Sequence, residues 1–192
     1  LDYGIYLYTC NGISSFYPGL IANNMIRVEL YGIYLNGTTS GSQGYCSYQN
    51  IYHNTVEVTG EGTSYTPFFL YSGYSTDNHN NNTVKNNIFI NSGTGYAMRV
   101  HLEGGTHTSD YNNLYNLGNT LISWDQGDGY INYPNLSVFY QDVPGYEENS
   151  TTLNPVFVSS TDLTPQAVLL DNLGESGTGV TTDINGDLRG TP

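Results

Sequence analysis

Positive charge is nearly absent from this sequence. Four Lys plus Arg stand against seventeen Asp plus Glu, a formal net charge of −13. So few cations cannot neutralise a run of phosphates, which argues against nucleic acid as a partner. The same shortage argues against an anionic membrane surface; a neutral glycan or a bound cation suits the balance better. Long apolar runs are missing too: nothing approaches the ~18 residues of a spanning helix, and no segment reads as a signal peptide. Cysteine is scarce. Cys10 and Cys46 match no metal or redox spacing, and read either as a disulfide between adjacent repeats or as two free, partly buried thiols. The histidines His53, His79, His101 and His107 lack compact metal spacing, so none is read as a ligand.

What the sequence has in quantity is tyrosine (19), glycine (23) and asparagine-flagged apolar segments. Four of these, "IANNMIRVE", "IYHNTVEVT", "VKNNIFINS" and "DYNNLYNLG", place Asn24, Asn54, Asn86 and Asn112 at intervals of 30, 32 and 26 residues. A fixed period of this length is the signature of stacked repeats. Each flagged strand follows another strand: Gly4 to Tyr8, Gly32 to Asn36, Pro67 to Tyr71 and Gly95 to Arg99. Alternation of faces along a strand sends Ile5, Ile33, Phe68 and Tyr96 inward as one stack, and Leu7, Leu35, Leu70 and Met98 as a second. In the flagged series Ile26, Val56, Ile88 and Leu114 point inward, then Val28, Val58 and Ile90. The asparagines read as an internal stack that satisfies corner amides. The links are turn-rich and carry no helical stripe, so a parallel β-helix is preferred over a doubly wound sheet.

The 192 residues suit one domain. Residues 1–118 form about four coils; residues 119–192 form a last coil and a loop or cap-like segment packed on the same domain. In that second part Leu121 to Asp125 and Asn154 to Val158 read as strands. Asn135 caps a short helix that ends before Pro144 and Gly145. The chain opens inside a strand with nothing before it. This is expected of a piece of a longer protein, whose remainder, or another subunit, meets that edge.

The repeated "NNxIxxN"-like strands resemble the right-handed parallel β-helix repeats of the pectate-lyase-like superfamily. The C-terminal third is similar to a run found in large secreted or surface proteins of Bacteroidetes-like bacteria: Asn154, Pro155 and Phe157, then Asp162 and Leu163, then Thr182, Asp183, Gly186 and Arg189. The stretch "TPQAVLLDNLG" departs from that pattern. The resemblance implies a single-stranded, right-handed, all-β solenoid and a secreted or cell-surface location. It says little about activity.

Outward residues of the first strand series are Tyr6, Tyr34, Phe69 and Ala97, then Tyr8, Asn36, Tyr71 and Arg99. An exposed aromatic stripe of this kind marks a binding surface. Carbohydrate-binding is therefore assigned to Tyr6, Tyr8, Tyr34, Asn36, Phe69, Tyr71 and Arg99, with a neutral polysaccharide or surface glycan as partner. The competing expectation is that a loop or the C-terminal segment covers the stripe. In the flagged series Arg27 and Glu57 are expected to pair on a solvated face. A lyase would need a base and cations beside a uronate, for which only Lys85 and Arg99 offer themselves. A hydrolase would need paired carboxylates; Asp125 and Asp128 in "WDQGDG" read instead as a turn. No catalytic residue is assigned. Calcium is the one cofactor with a motif, through Asp183, Asn185 and Asp187 in "DINGD", which lacks the full twelve-residue loop. The expected role is a non-catalytic extracellular module, perched against two alternatives: a fragment of a polysaccharide lyase or glycoside hydrolase, and an inert spacer.

Overall fold

The computed structural model describes residues 2–37, 46–73, 79–125, 127 and 129–190. It is mostly β, with three parallel sheets and little helix. Strands β1 (Tyr3–Tyr8), β2 (Gly19–Ala22) and β3 (Met25–Val28) each open a different sheet. β4 (Tyr31–Asn36), β5 (Gln49–Tyr52) and β6 (Thr55–Val58) add to those sheets in the same order. So do β7 (Thr66–Ser72), β8 (His79–Lys85) and β9 (Ile88–Asn91), then β10 (Met98–Leu102), β11 (Gly105–Asp110) and β12 (Asn113–Asn116). Every third strand thus returns to its own sheet, giving four circuits of three strands. β13 (Ile122–Asp125) extends the first sheet in parallel, and β14 (Ile131–Tyr133) closes it antiparallel.

Two strands per repeat are expected from the sequence; the structure has three. The additional strands are β2, β5, β8 and β11. They are short or polar, and a run such as "HNNNTVK" (β8) or "GTHTSD" (β11) has no apolar alternation. One inward column nevertheless runs through this sheet, with Ile21 opposite Ile51 and Ile51 opposite Val84. In the first sheet Ile5, Ile33 and Phe68 are in register, as are Leu7, Leu35 and Leu70. These expectations hold as far as β7. At β10 the register shifts by two residues: Arg99 faces Phe69 and Val100 faces Leu70. Met98 therefore stands at the level of Phe68, where Tyr96 is expected, and Ala97, which precedes the strand, is fully buried. A two-residue slip keeps every side chain on its face, so the hydrophobic pattern alone does not distinguish the two registers.

The third sheet corrects the sequence reading at one circuit. Phe89, not Ile88, pairs with Val56 and points inward, stacking on Phe68 at 5.3 Å. The internal ladder consists of Asn24, Asn54, Asn87 and Asn112, with Asn87 in place of Asn86. Each of the last three accepts from the circuit before it: Asn54 Oδ1 from Asn24 N–H (3.1 Å) and Nδ2 (2.8 Å), Asn87 Oδ1 from Asn54 (3.0 and 2.9 Å), Asn112 Oδ1 from Asn87 (3.0 and 3.0 Å). Buried corner amides are satisfied this way. The residue before each ladder asparagine, Asn23, His53, Asn86 and Tyr111, has φ of 55–59°. That left-handed corner is a conformation asparagine tolerates better than most residues. In "NN" at residues 23–24 and 86–87 the first asparagine is the corner and the second the ladder position, whereas His53 and Tyr111 supply the corner before Asn54 and Asn112.

Glycine is required where the sheets meet closely. A Cβ on Gly32 would lie 2.4 Å from Pro67 O and 2.2 Å from Val56 Cγ1. The far end of the stack is covered by helix α1 (Leu136–Asp142), whose N-cap Asn135 accepts from Val138 N–H as expected. Leu136 and Phe139 bury against the core, with Phe139 edge-on to Trp124. The strand expected at Asn154 to Val158 is absent: Phe157 makes only an isolated bridge to Pro165. The proline-containing segment lies as ordered loop instead.

Candidate functional site

The outer face of the first sheet is lined with rings. Register places Tyr6, Tyr34, Phe69 and Arg99 in one column across β1, β4, β7 and β10, and Tyr8, Asn36, Tyr71 and His101 in the next. All seven residues assigned to carbohydrate-binding therefore share this face, and Arg99 moves one column from its expected place. Tyr3 and Tyr31, paired in register, lay their rings against Tyr34 and extend the ring cluster. The rings touch continuously: Tyr3 to Tyr6 at 4.9 Å, Tyr6 to Tyr34 at 5.2 Å, Tyr34 to Phe69 at 4.6 Å, Phe69 to Tyr71 at 5.5 Å. Parallel strands ~4.8 Å apart impose this spacing, which lies within the favoured range for offset rings. Tyr6 and Tyr8 are 45% and 46% exposed, so the face is open at the β1 end. Phe69 is the covered member, at 5%. Desolvation pushes the Tyr34 phenol above its ordinary range, and Asn36 Nδ2 donates to Tyr6 Oη at 2.8 Å.

The other end of the face is polar. The Arg99 guanidinium lies 4.7 Å over the Phe69 ring and 4.5 Å over that of Tyr130. His101 is stacked between Tyr71 (4.9 Å) and Tyr130 (5.0 Å). Asp125 Oδ2 is 2.7 Å from His101 Nδ1; an ionised carboxylate only accepts, so Nδ1 carries the proton. The second oxygen, Oδ1, accepts from Gly127 and Gly129 N–H at 2.8 and 3.0 Å, which ties down the turn that delivers Tyr130. Glu103 Oε1 stands 4.0 Å from His101 Nε2. Sequence reasoning misses His101 because the β10 register is read two residues short. Asp125 is read only as a turn residue, and Asp128 lies outside the described residues.

Tyr130, from the C-terminal part, covers the Arg99 and His101 end of this face, whereas the segment from Glu175 to Arg189 runs elsewhere. It follows the opposite corner, held by outward side chains of the left-handed corner residues. Asn86 exchanges bonds with Glu175 (Nδ2 to O and N–H to Oδ1, both 2.8 Å). His53 Nε2 meets Thr178 Oγ1 at 2.9 Å. Asn23 donates to Thr182 O (2.8 Å) and accepts from Arg189 Nη2 (2.6 Å). A cleft of about 750 Å³ runs along this seam, bordered by His53, Asn86, Tyr111 and Arg189. Its corner side chains are already engaged by the segment, so we place the site on the ring-lined face instead.

Other expectations are redistributed. Lys85 lies on β8, in the second sheet, and pairs with Glu175 at 2.5 Å; it does not converge with Arg99. Arg27 does pair with Glu57 at 2.8 Å, and only the Arg27 half of the pair is solvated: Glu57 is 6% exposed and also accepts from Ser92 Oγ. Arg27 reaches Ser160 O, in the loop that lies alongside. In the "DINGD" loop Asp183 Oδ1 accepts from Asn185 and Asp187 N–H at 2.8 and 3.0 Å. That carboxylate closes a turn, and among the described residues no group of three or more His, Cys, Asp or Glu is placed to hold a metal. Of the two readings of Cys10 and Cys46, the structure has two free thiols, Cys10 exposed and Cys46 buried. Cys10 N–H points to Cys46 Sγ at 3.5 Å, and burial pushes the Cys46 thiol up to about 11. No helix among the described residues is long and apolar enough to cross a membrane.

Comparison of the chain with protein-family models, curated proteins and solved structures finds no match.

Proposed function

We propose that this chain is a right-handed parallel β-helix module of a secreted or cell-surface protein, and that it binds a neutral glycan without transforming it. The observation that carries this reading is the continuous ring-lined face of the first sheet, open at Tyr6 and Tyr8. Aromatic faces stack against the apolar C–H faces of sugar rings, and flanking polar groups take the hydroxyls. A net charge of −13 favours a neutral chain over an acidic one. The three parallel sheets, with every third strand returning to its own sheet, support the β-helix reading and its likeness to pectate-lyase-like repeats. The lyase reading has weaker support, because its two basic candidates stand on different sheets and Lys85 is already paired with Glu175.

The test is retention of the chain on immobilised neutral and uronate-containing polysaccharides, with Tyr6→Ala/Tyr8→Ala as the variant. These side chains lie at the exposed end of the face, so the fold should survive. The expected outcome is retention on a neutral polysaccharide, weakened about tenfold or more in the double variant, since loss of an aromatic stacking contact is worth about 1 kcal/mol. Failure of the wild type to bind any glycan favours the spacer reading. New reducing or unsaturated ends in the eluate would overturn the non-catalytic one.

A further inference from the structure

We propose that Arg99, His101 and Glu103 form a saccharide subsite at the polar end of the ring-lined face, which fixes one neutral sugar by its vicinal hydroxyls. This rests on the glycan-binding reading and names where on the face a sugar is held by hydrogen bonds rather than stacking alone. Residues 99, 101 and 103 alternate along and just beyond β10. Their side chains therefore leave the same face, successive ones ~7 Å apart, which is the scale of one sugar ring.

Arg99 is the first element. Arg27 is tied to Glu57, Lys85 to Glu175 and Arg189 to Asn23. Among the described residues Arg99 makes no ion pair with a carboxylate. It is clamped between the Phe69 and Tyr130 rings instead, and its buried Nε has no hydrogen-bond partner. A buried donor left unsatisfied is costly, and an incoming hydroxyl oxygen offsets that cost. His101 and Glu103 are the second element. Asp125 fixes the tautomer of His101, and the two stacked tyrosines fix its ring plane. His101 Nε2 then faces the Glu103 carboxylate, with Oε1 4.0 Å away. That separation is too long for a direct hydrogen bond. A sugar hydroxyl placed in that gap donates to Glu103 Oε1, and the adjacent hydroxyl meets Nε2. The same carboxylates, Glu103 and Asp125, disfavour an anionic sugar.

The experiment is calorimetric titration of the chain with neutral gluco-, xylo-, manno- and galacto-oligosaccharides. The chains compared are wild type, Glu103→Gln, Arg99→Lys and Tyr6→Ala/Tyr8→Ala, with the His101 ring signals followed by NMR. Glu103→Gln and Arg99→Lys should each weaken binding about tenfold, a loss of about 1.4 kcal/mol, within the range for hydrogen bonds to charged groups. The His101 signals should shift on saturation with sugar. Binding lost in the tyrosine variant but unchanged in Glu103→Gln and Arg99→Lys, with static His101 signals, overturns the subsite and leaves the face intact. Absence of binding by every saccharide, polysaccharides included, overturns both.

Discussion

Glu147 shows how one residue can end a repeating structure. Asn112 N–H donates to Ser150 Oγ at 2.8 Å, where another asparagine would stand in the ladder. Asn112 Nδ2 donates to the Glu147 carboxylate at 3.1 and 3.3 Å, and the hydroxyls of Ser150 and Ser109 converge on it. Complete burial pushes the Glu147 carboxyl up to about 7, the surrounding donors opposing the shift. Its folded pKa is thus above its ordinary value of 4.5. The associated stability is fully present below pH 4.5 and is lost as pH rises through 7. Glu147→Gln should therefore be more stable than wild type at pH 8, by on the order of 2–3 kcal/mol, and nearly neutral at pH 4.5; urea unfolding at both pH values decides it. Asn87 and Asn86 offer a paired test of the ladder. Asn87→Ala strips partners from Asn54 N–H and Ile51 O and should cost about 3 kcal/mol or more. Asn86→Ala removes its bonds to the C-terminal segment, a long contact with His53 Nε2 (3.5 Å) and a residue suited to the left-handed corner, and should cost about 1–2 kcal/mol. Equal losses in denaturant would place the ladder wrongly.

At the scale of elements, the C-terminal segment acts as a strap across three corners. Asn86, His53 and Asn23 grip Glu175, Thr178 and Thr182 in turn, so the segment runs back toward the first circuit. Burial, with Arg189 nearby, depresses His53 to about 4 from 6.5. Burial likewise depresses His79 to about 4 and His107 to about 3. For a depressed histidine the stability is present above pH 6.5 and is lost as pH falls through the folded pKa. The strap should loosen between pH 6.5 and 4. Limited proteolysis within residues 171–190 is the measurement: cleavage should accelerate across that window in wild type. His53→Gln should be cut at a rate independent of pH over the same range, after correction for the protease's own profile.

The whole molecule has unlike ends. At the first circuit Ile5, Leu7, Ile21 and Ile26 are only partly buried, while Ile33, Leu35, Ile51 and Val56 one circuit on are completely buried. At the last circuit Trp124, Tyr133, Leu136 and Phe139 form a closed apolar cover. In a stack whose circuits contact mainly their neighbours, local stability follows the number of flanking circuits. Amide exchange should be fastest in β1, β2 and β3 and slowest in β4 through β9. Phe139→Ala should cost about 3–5 kcal/mol and raise exchange at β13 and β10 before β4. A uniform rise along the chain would mean the circuits unfold as one unit instead.

Much of this order is written locally. Period-2 alternation places Ile33, Leu35, Phe68 and Leu70 inward because a strand allows only two faces, and the same rule sends Tyr6, Tyr34 and Phe69 outward together. Asn135 marks the start of α1 because its side chain serves the first free amides. What the pattern leaves open is position along a face. A slip of two residues preserves every facing, so only the stacked neighbours of β10 decide that Arg99 lies over Phe69 and His101 beside Tyr71. Either residue of "NN" has the same side chain, so only the corner decides that Asn86 turns the chain and Asn87 joins the ladder. The middle sheet is illegible for a related reason: its polar strands are stabilised by strands about thirty residues away in sequence. The sequence determined the alternation, the period and the shortage of cations; tertiary contacts fixed the registers, and with them the meeting of Arg99, His101, Glu103 and Asp125 on one face.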